Sequence, residues 1–332
     1  MKKKIFISII IGAIFLYIST RSISFSSIDF QKINMNWNYL WLVLLLFVAT
    51  NLLRAYRLKL LFSHLEVLSY GTVFKFNIIG YAFILILPMR LGEFAIPFLA
   101  SNSTGIKFSS AVAVIFIERL IDLIALMVFL AYVSFSLINE PWIVNTAIGL
   151  GAAILLLTLF LAIGYKKSQF VMKLLGPILK RIPDSIEYKI RSILNEVKVG
   201  FKAVDNPLVI VLVFFMSFLV WLISALSIFS TLNLLGIESE PLASLTTMVF
   251  NVIGVSIPAG PAMIGNFQYS CILALQQFNI DKSLAFIFSN VYYILNVGLT
   301  VLAGFSFLPF TNIQFREVIT KLLSKDLSKT AE

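Results

Sequence analysis

Apolar residues in this chain do not alternate with polar ones. They gather into runs of about 16 to 30 residues, divided by short stretches carrying Lys, Arg, Asp, Glu and Pro. Runs of that length predict helices that approach or cross the roughly 30 Å hydrocarbon core of a bilayer. The lack of period-two alternation excludes a lipid-facing barrel. The runs lie at about 5–20, 38–53, 72–87, 108–138, 142–164, 208–235, 242–278 and 284–310. Pro88 ends the third, although its segment continues to 104, and Pro258, Gly260 and Pro261 interrupt 242–278. Proline removes a helical hydrogen bond and clashes with the turn before it. Both segments are therefore expected to be broken helical hairpins.

Composition agrees. Hydrophobic residues make up 59% of the 332 and charged residues 13%, with a mean hydropathy of +0.96. The predicted fold class is an all-α polytopic membrane protein. One cysteine, Cys271, excludes an internal disulfide, and one histidine, His64, excludes chemistry that needs two imidazoles. The net charge of +10 comes from Lys and Arg flanking the apolar runs. That placement sets insertion orientation and gives no reason to expect nucleic acid as a partner. The run 5–20 follows three lysines without a convincing cleavage site and reads as a retained first helix.

Charge also predicts topology. Lys2–Lys4 hold the N-terminus inside, and Arg54, Arg57 and Lys59 mark an inner boundary after 38–53. The segment 165–207 holds nine Lys/Arg against four Asp/Glu and is expected to be a cytoplasmic loop. Helix 108–138 must then run outward, so 72–104 enters and leaves on the inner face. By the same logic 242–278 dips in from outside, and the tail 311–332 is cytoplasmic. The expectation is about six full spans plus two re-entrant pairs in one domain, 1–310. Two extra crossings per half would also satisfy the charges.

The two broken segments share a phrase. Phe76-Asn77-Ile78-Ile79-Gly80 matches Phe250-Asn251-Val252-Ile253-Gly254, and Gly92-Glu93-Phe94 matches Gly265-Asn266-Phe267. Further on, Ile115-Phe116 with Glu118 matches Ile287-Phe288 with Asn290. The intervals nearly agree, 12 and 23 residues in the first copy against 11 and 22 in the second. Repeat 1 (about 38–138) and repeat 2 (about 208–310), oppositely oriented, make an inverted-topology repeat of the transporter type. The alternative is an old duplication kept for packing.

Ionised residues at membrane depth cost about 2.5–3.5 kcal/mol each on insertion scales, so they are expected to be paired or in water. Arg90 and Glu93 flank the break at Pro88, and Glu118, Arg119 and Asp122 lie inside 108–138. They admit two roles. Arg90 paired with Glu118 or Asp122, and Arg119 with Glu93, would pin the hairpin to the helix. Arg90 and Arg119 would otherwise meet an anionic headgroup, since guanidinium suits bidentate phosphate contact. Pro88, Gly92 and Asn77 from the first half, with Asn251, Pro258, Gly265, Asn266, Gln268 and Asn290 from the second, are the expected cavity lining. Asn296 is expected only to bond neighbouring helices. His64 is expected in solvent. Trp37, Tyr39 and Trp41 are expected at the interface, and Asp184–Lys202 as a basic amphipathic helix on anionic lipid or a topology signal only.

Arg90-Leu91-Gly92-Glu93 with Pro97, then Glu118-Arg119-Leu120-Ile121-Asp122, and Pro258-Ala259-Gly260-Pro261 running to Gln268, resemble motifs of the lysylphosphatidylglycerol synthase transmembrane (flippase-like) family. The resemblance covers about residues 5–310. It implies a lipid-translocating domain of the cytoplasmic membrane, with Arg90, Glu93, Glu118, Arg119 and Asp122 on motif positions. Where the family often has Pro-Gly-Gly, Ala262 and Met263 follow Pro261 here, which implies a stiffer second break. No aminoacyl-transferase domain is seen after 310, so no enzyme activity and no cofactor or metal is expected. The implied function is a flippase for a charged or glycosylated lipid, its partners being membrane lipids. A small-solute or ion-coupled transporter, or an accessory subunit of a cell-envelope glycosyltransferase, are the alternatives.

Overall fold

The computed structural model describes residues 13–15, 17–18, 20–21, 34–137, 139–166, 195, 198–257 and 261–311. Most of the expected first helix, most of Asp184–Lys202, Pro258 and the tail from 312 lie outside them, as do the side chains at 88–90, 160–166 and 261.

The described elements are helical. They are α1 (Asn38–Phe62), α2 (Tyr70–Ile86), a tight turn (Pro88–Phe94), α3 (Ala95–Ser103), α4 (Phe108–Ser136), α5 (Pro141–Lys166), α6 (Pro207–Leu234), α7 (Pro241–Ser256), a second turn (Pro261–Met263), α8 (Asn266–Gln276), α9 (Lys282–Tyr293), a π-helical turn (Ile294–Gly298) and α10 (Leu299–Phe307). Local chemistry sets several starts. Ser69 Oγ accepts from the Thr72 amide at 3.2 Å, Asn206 Oδ1 from Leu208 at 3.0 Å, and Asp281 Oδ1 from Ser283 at 2.8 Å. Prolines occupy the first position of α6 and α7, where no amide is needed. Among the described residues, four helices are long and apolar enough to cross a membrane: α1, α5 over Pro141–Leu159, α6, and the continuous run Lys282–Phe310. α4 has 29 residues but lies largely inside the protein.

α1 runs nine residues past the expected boundary, because Leu58, Leu61 and Phe62 beyond the arginines are buried and carry the helix on. It lies antiparallel to α6. The Asn36 amide bonds the Leu234 carbonyl at 2.9 Å at one end, and Arg57 reaches Ser217 at 2.7 Å toward the other.

Both broken segments fold as antiparallel hairpins. In the first, a Cβ on Gly80 would stand 2.2 Å from Ile96 Cγ1, and one on Gly92 would stand 2.2 Å from the Phe83 carbonyl oxygen. Glycine is what lets α3 and the turn lie against α2. Glu66 Oε2 accepts from the Gly105 amide at 3.1 Å, so the hairpin's two ends are tied together. In the second, Gly254 sits where Gly80 does, against Ser270 of the returning arm. The Asn266 amide group donates to the Gly254 carbonyl at 2.8 Å and the Ile257 carbonyl at 3.2 Å, stapling the turn shut. Ala262 and Met263, at φ 56° and 60°, are both left-handed, a conformation costing about 1–2 kcal/mol per residue without glycine. The Tyr293 hydroxyl donates to the Ala262 carbonyl at 2.8 Å and holds that turn. The two hairpin turns touch one another.

Each hairpin sits in its own apolar core. One gathers the end of α1, α2, α3 and the first half of α4 with Val213. The other gathers the second half of α4, α7, α8 and α9 with the C-terminal half of α6. α4 and α6 run through both, and Glu118 and Asp122 of α4 with Ser217 of α6 fall at the seam. α10 closes the first core, with Gly304 against Ile78 and Ala82 of α2.

Candidate functional site

Arg57 occupies the seam, completely buried. Its guanidinium donates to the carboxylates of both Glu118 and Asp122, the second contact to Asp122 being 3.2 Å, and to the Ser217 hydroxyl at 2.7 Å. Glu118 and Asp122 are one helical turn apart on α4 and share the face toward α1. The Trp221 indole N–H donates to the Asp122 backbone carbonyl at 3.1 Å. Arg57 thus binds α1, α4 and α6 into one unit. The charge pattern puts it at the inner membrane boundary, whereas the structure makes it the centre of the cluster. The sequence signal is the apolar Leu58, Leu60, Leu61 and Phe62 that follow it, too many for a helix that ends in water.

A second layer is half-buried. Arg119 Nε donates to Glu93 Oε2 at 3.1 Å, and Nη1 to the Tyr81 hydroxyl at 3.2 Å and Asp122 Oδ2 at 3.4 Å. Glu93 belongs to the first hairpin turn, so this pair ties the turn to α4. The Arg119 and Glu93 side chains are 30% and 25% exposed, unlike the sealed Arg57 lock. The Arg54 guanidinium lies 4.4 Å over the Tyr81 ring centroid and that of Arg119 lies 5.4 Å from it. Tyr81 thereby joins two cations. Nη2 of Arg119 and Nε of Arg54 are buried, with no hydrogen-bond partner among the described residues. Both arginines therefore keep donor capacity for something further. The backbone of Arg90 is part of the Glu93 turn, and its side chain lies outside the described set.

The amides expected to line the cavity make local bonds. Asn266 staples its own turn. Gln268 Oε1 accepts from the Gly265 amide at 2.8 Å, Asn251 Nδ2 faces the Cys271 sulfur at 3.1 Å, and Asn290 Nδ2 bonds the Phe286 carbonyl at 2.8 Å within α9. Asn77 is fully buried, and neither amide atom has a partner among the described residues. Gly92 and Gly265 shape turns, and Gly265 has φ 96°. Lys75 donates to the Phe310 carbonyl at 3.2 Å, at the end of the last helix. The ring nitrogens of His64 face the Leu61 carbonyl at 2.7 Å and the Val199 carbonyl at 3.1 Å, so this half-buried ring ties α1 to the segment before α6.

A polar cavity lies elsewhere, between α1, α6 and the π-helical turn, lined in part by Thr50, Asn51, Arg54, Tyr292, Asn296 and Thr300. Asn296 faces this space, and its Nδ2 donates to the Tyr292 hydroxyl at 3.3 Å. Arg54 borders both the cavity and the Tyr81 face, linking the cavity to the Arg119 layer. Among the described residues no group of three or more His, Cys, Asp or Glu is placed to hold a metal ion.

No solved structure matches the chain. It is similar to the UPF0104 membrane protein MJ1078 of Methanocaldococcus jannaschii, 28% identical over 225 residues that cover 66% of this chain and 89% of the relative. Residues 5–304 match the family described as the lysylphosphatidylglycerol synthase TM region. With helices long and apolar enough to span a bilayer and a family match over nearly its whole length, the chain is an integral membrane protein that belongs to the lysylphosphatidylglycerol synthase TM region family.

Proposed function

We propose that this protein binds polar-headed membrane lipids and moves their headgroups across the bilayer between two inverted, re-entrant hairpins. The observation that carries the reading is the meeting of the two hairpin turns, one of which presents Glu93 to a half-buried Arg119. Broken helices at membrane depth are stable only where the backbone is buried in protein or lines a cavity. The arms of 17, 9, 16 and 11 residues reach about 25, 13, 24 and 16 Å as helix, each short of the roughly 30 Å core. The antiparallel α1 and α6, one before each hairpin, suit repeats of opposite orientation, as do the matching contacts at Gly80 and Gly254. A family named for the membrane region of a lipid synthase supports a lipid as the cargo.

In this reading the Arg57 lock holds the scaffold, while Arg119 and Glu93, with Arg90 on the same turn, meet the headgroup. Arginine offers the phosphate two parallel hydrogen bonds, and Glu93 holds Arg119 in place until the lipid arrives. The protein resides in the cytoplasmic membrane with both termini inside, as the Lys and Arg placement favours. Fluorescent phospholipid in proteoliposomes tests it. Wild type should move lipid between leaflets, and Arg90→Gln, Glu93→Gln and Arg119→Gln together should stop it; unchanged movement would remove the site. Cysteines at Thr72 and Thr104, in a Cys271→Ala background, should label from one side only. Labelling from opposite sides would make 72–104 a spanning segment.

A further inference from the structure

We infer that the cavity between α1, α6 and the π-helical turn is a binding site for a phosphate oxyanion bearing a hydroxyl or ammonium donor. The inference rests on the lipid reading for the ligand's source and on the cavity's own chemistry for its class. The cavity is small, with about 30 Å³ open to the centre of a water molecule among these side chains. Among the described lining residues Arg54 is the only cation and none is a carboxylate. Its guanidinium stacks on Tyr81 and has no carboxylate partner among the described residues, and its buried Nε has no acceptor. Arg54 lies 16 residues from the start of α1 and 8 from its end, about 24 and 12 Å. An ionised group at such depth calls for a counter-charge.

The remaining lining divides by hydrogen-bonding sense. The hydroxyls of Thr50 and Thr300 donate to the carbonyls of Leu46 at 2.8 Å and Asn296 at 2.7 Å. Their oxygens then offer only lone pairs to the cavity. Asn51, 4% exposed, donates through Nδ2 to the Phe47 carbonyl at 2.9 Å, which leaves a buried Oδ1 without a partner among the described residues. The Tyr292 hydroxyl accepts from Asn296, so its proton is available to a ligand beside Arg54. A cation and one hydroxyl donor suit a phosphate, and the unmet acceptors on the wall suit hydroxyl or ammonium hydrogens attached to it. The π-helical turn, a geometry frequent at functional sites, carries Asn296 in this wall.

The test uses the full chain in detergent, a fluorescent short-chain phosphatidylglycerol as probe, and phosphatidylmethanol, a phosphodiester without the donor, as comparison. Wild type should prefer phosphatidylglycerol. Arg54→Gln should weaken both lipids by about tenfold to a hundredfold, the loss of a charge-assisted contact, and Arg54→Lys should recover part. Asn51→Leu should erase the preference for phosphatidylglycerol while keeping phosphatidylmethanol binding. Should Arg54→Gln fail to fold, Tyr292→Phe and Asn51→Leu still read the site. Competition by glycerol 3-phosphate at similar concentration assigns the site to a free phosphate, and its failure to compete assigns the site to the lipid. Unchanged binding in folded Arg54→Gln and Asn51→Leu, or no phosphate ligand bound by wild type, overturns the inference. Binding that persists while translocation is absent counts against the transport reading alone.

Discussion

Replacing Arg57 by Ala strands two carboxylates, Glu118 and Asp122, in a site with no exposure at Glu118 and 6% at Asp122. Breaking a buried ion pair from one side costs about 3–5 kcal/mol, because the remaining charge keeps its desolvation penalty and loses its counter-charge. The Ser217 hydroxyl and Arg119, 3.4 Å from Asp122, offset little of this. For a chain of this size the loss corresponds to a fall on the order of 4–7 °C in the unfolding midpoint. The assay is thermal unfolding in one detergent, followed by tryptophan fluorescence and by loss of the monodisperse chromatographic peak. The diagnostic partner is the triple variant Arg57→Met, Glu118→Gln, Asp122→Asn, which removes all the charge from the lock. It should recover more than half of the loss, since a neutral seam has nothing left unpaired. Arg57→Ala within about 1 °C of wild type, or a triple variant that merely sums its parts, would refute the lock and leave Arg57 as a surface-facing topology signal.

Gly92→Ala should abolish folded protein, read as the yield of monodisperse material, because its Cβ meets the Phe83 carbonyl at 2.2 Å, whereas Gly71→Ala, in open space, should be neutral. Ala262→Gly and Met263→Gly should each stabilise by about 1 kcal/mol by relieving left-handed backbone; a fall in the midpoint would show that the turn is held for another reason. Asn77→Leu should stabilise by about 1–3 kcal/mol, as it removes two buried polar atoms without partners, and destabilisation would mean that the amide meets water or a ligand.

The sequence announces elements better than it announces their partners. Pro88 and the Pro258–Pro261 stretch mark breaks because proline acts on its own helix, and Gly80, Gly92 and Gly254 recur because close crossings exclude a Cβ. The Glu93–Arg119 contact follows from a break and a helix that are neighbours along the chain, 26 residues apart. The Arg57 lock is harder to read, since its partners lie 61, 65 and 160 residues away. A row of Arg54, Arg57 and Lys59 looks like any inner boundary. The cavity is least legible: Thr50, Asn51 and Thr300 each make an ordinary bond to the carbonyl four residues back, and only the fold turns their free lone pairs toward one space. The bonds of Asn266 and Gln268 within their own turn are equally hidden, because an amide's partner is set by the fold and not by its position in a phrase.

The packing of Gly304, Phe307 and Leu308 onto the first core has a consequence for synthesis in the cell. Those residues arrive about 220 positions after α2 ends, a delay of roughly 10–40 s at ordinary elongation rates. Until then the α10-facing side of the N-terminal hairpin should lack its cover. Chains cut short before Gly304 should accordingly meet membrane quality control with an otherwise intact first half.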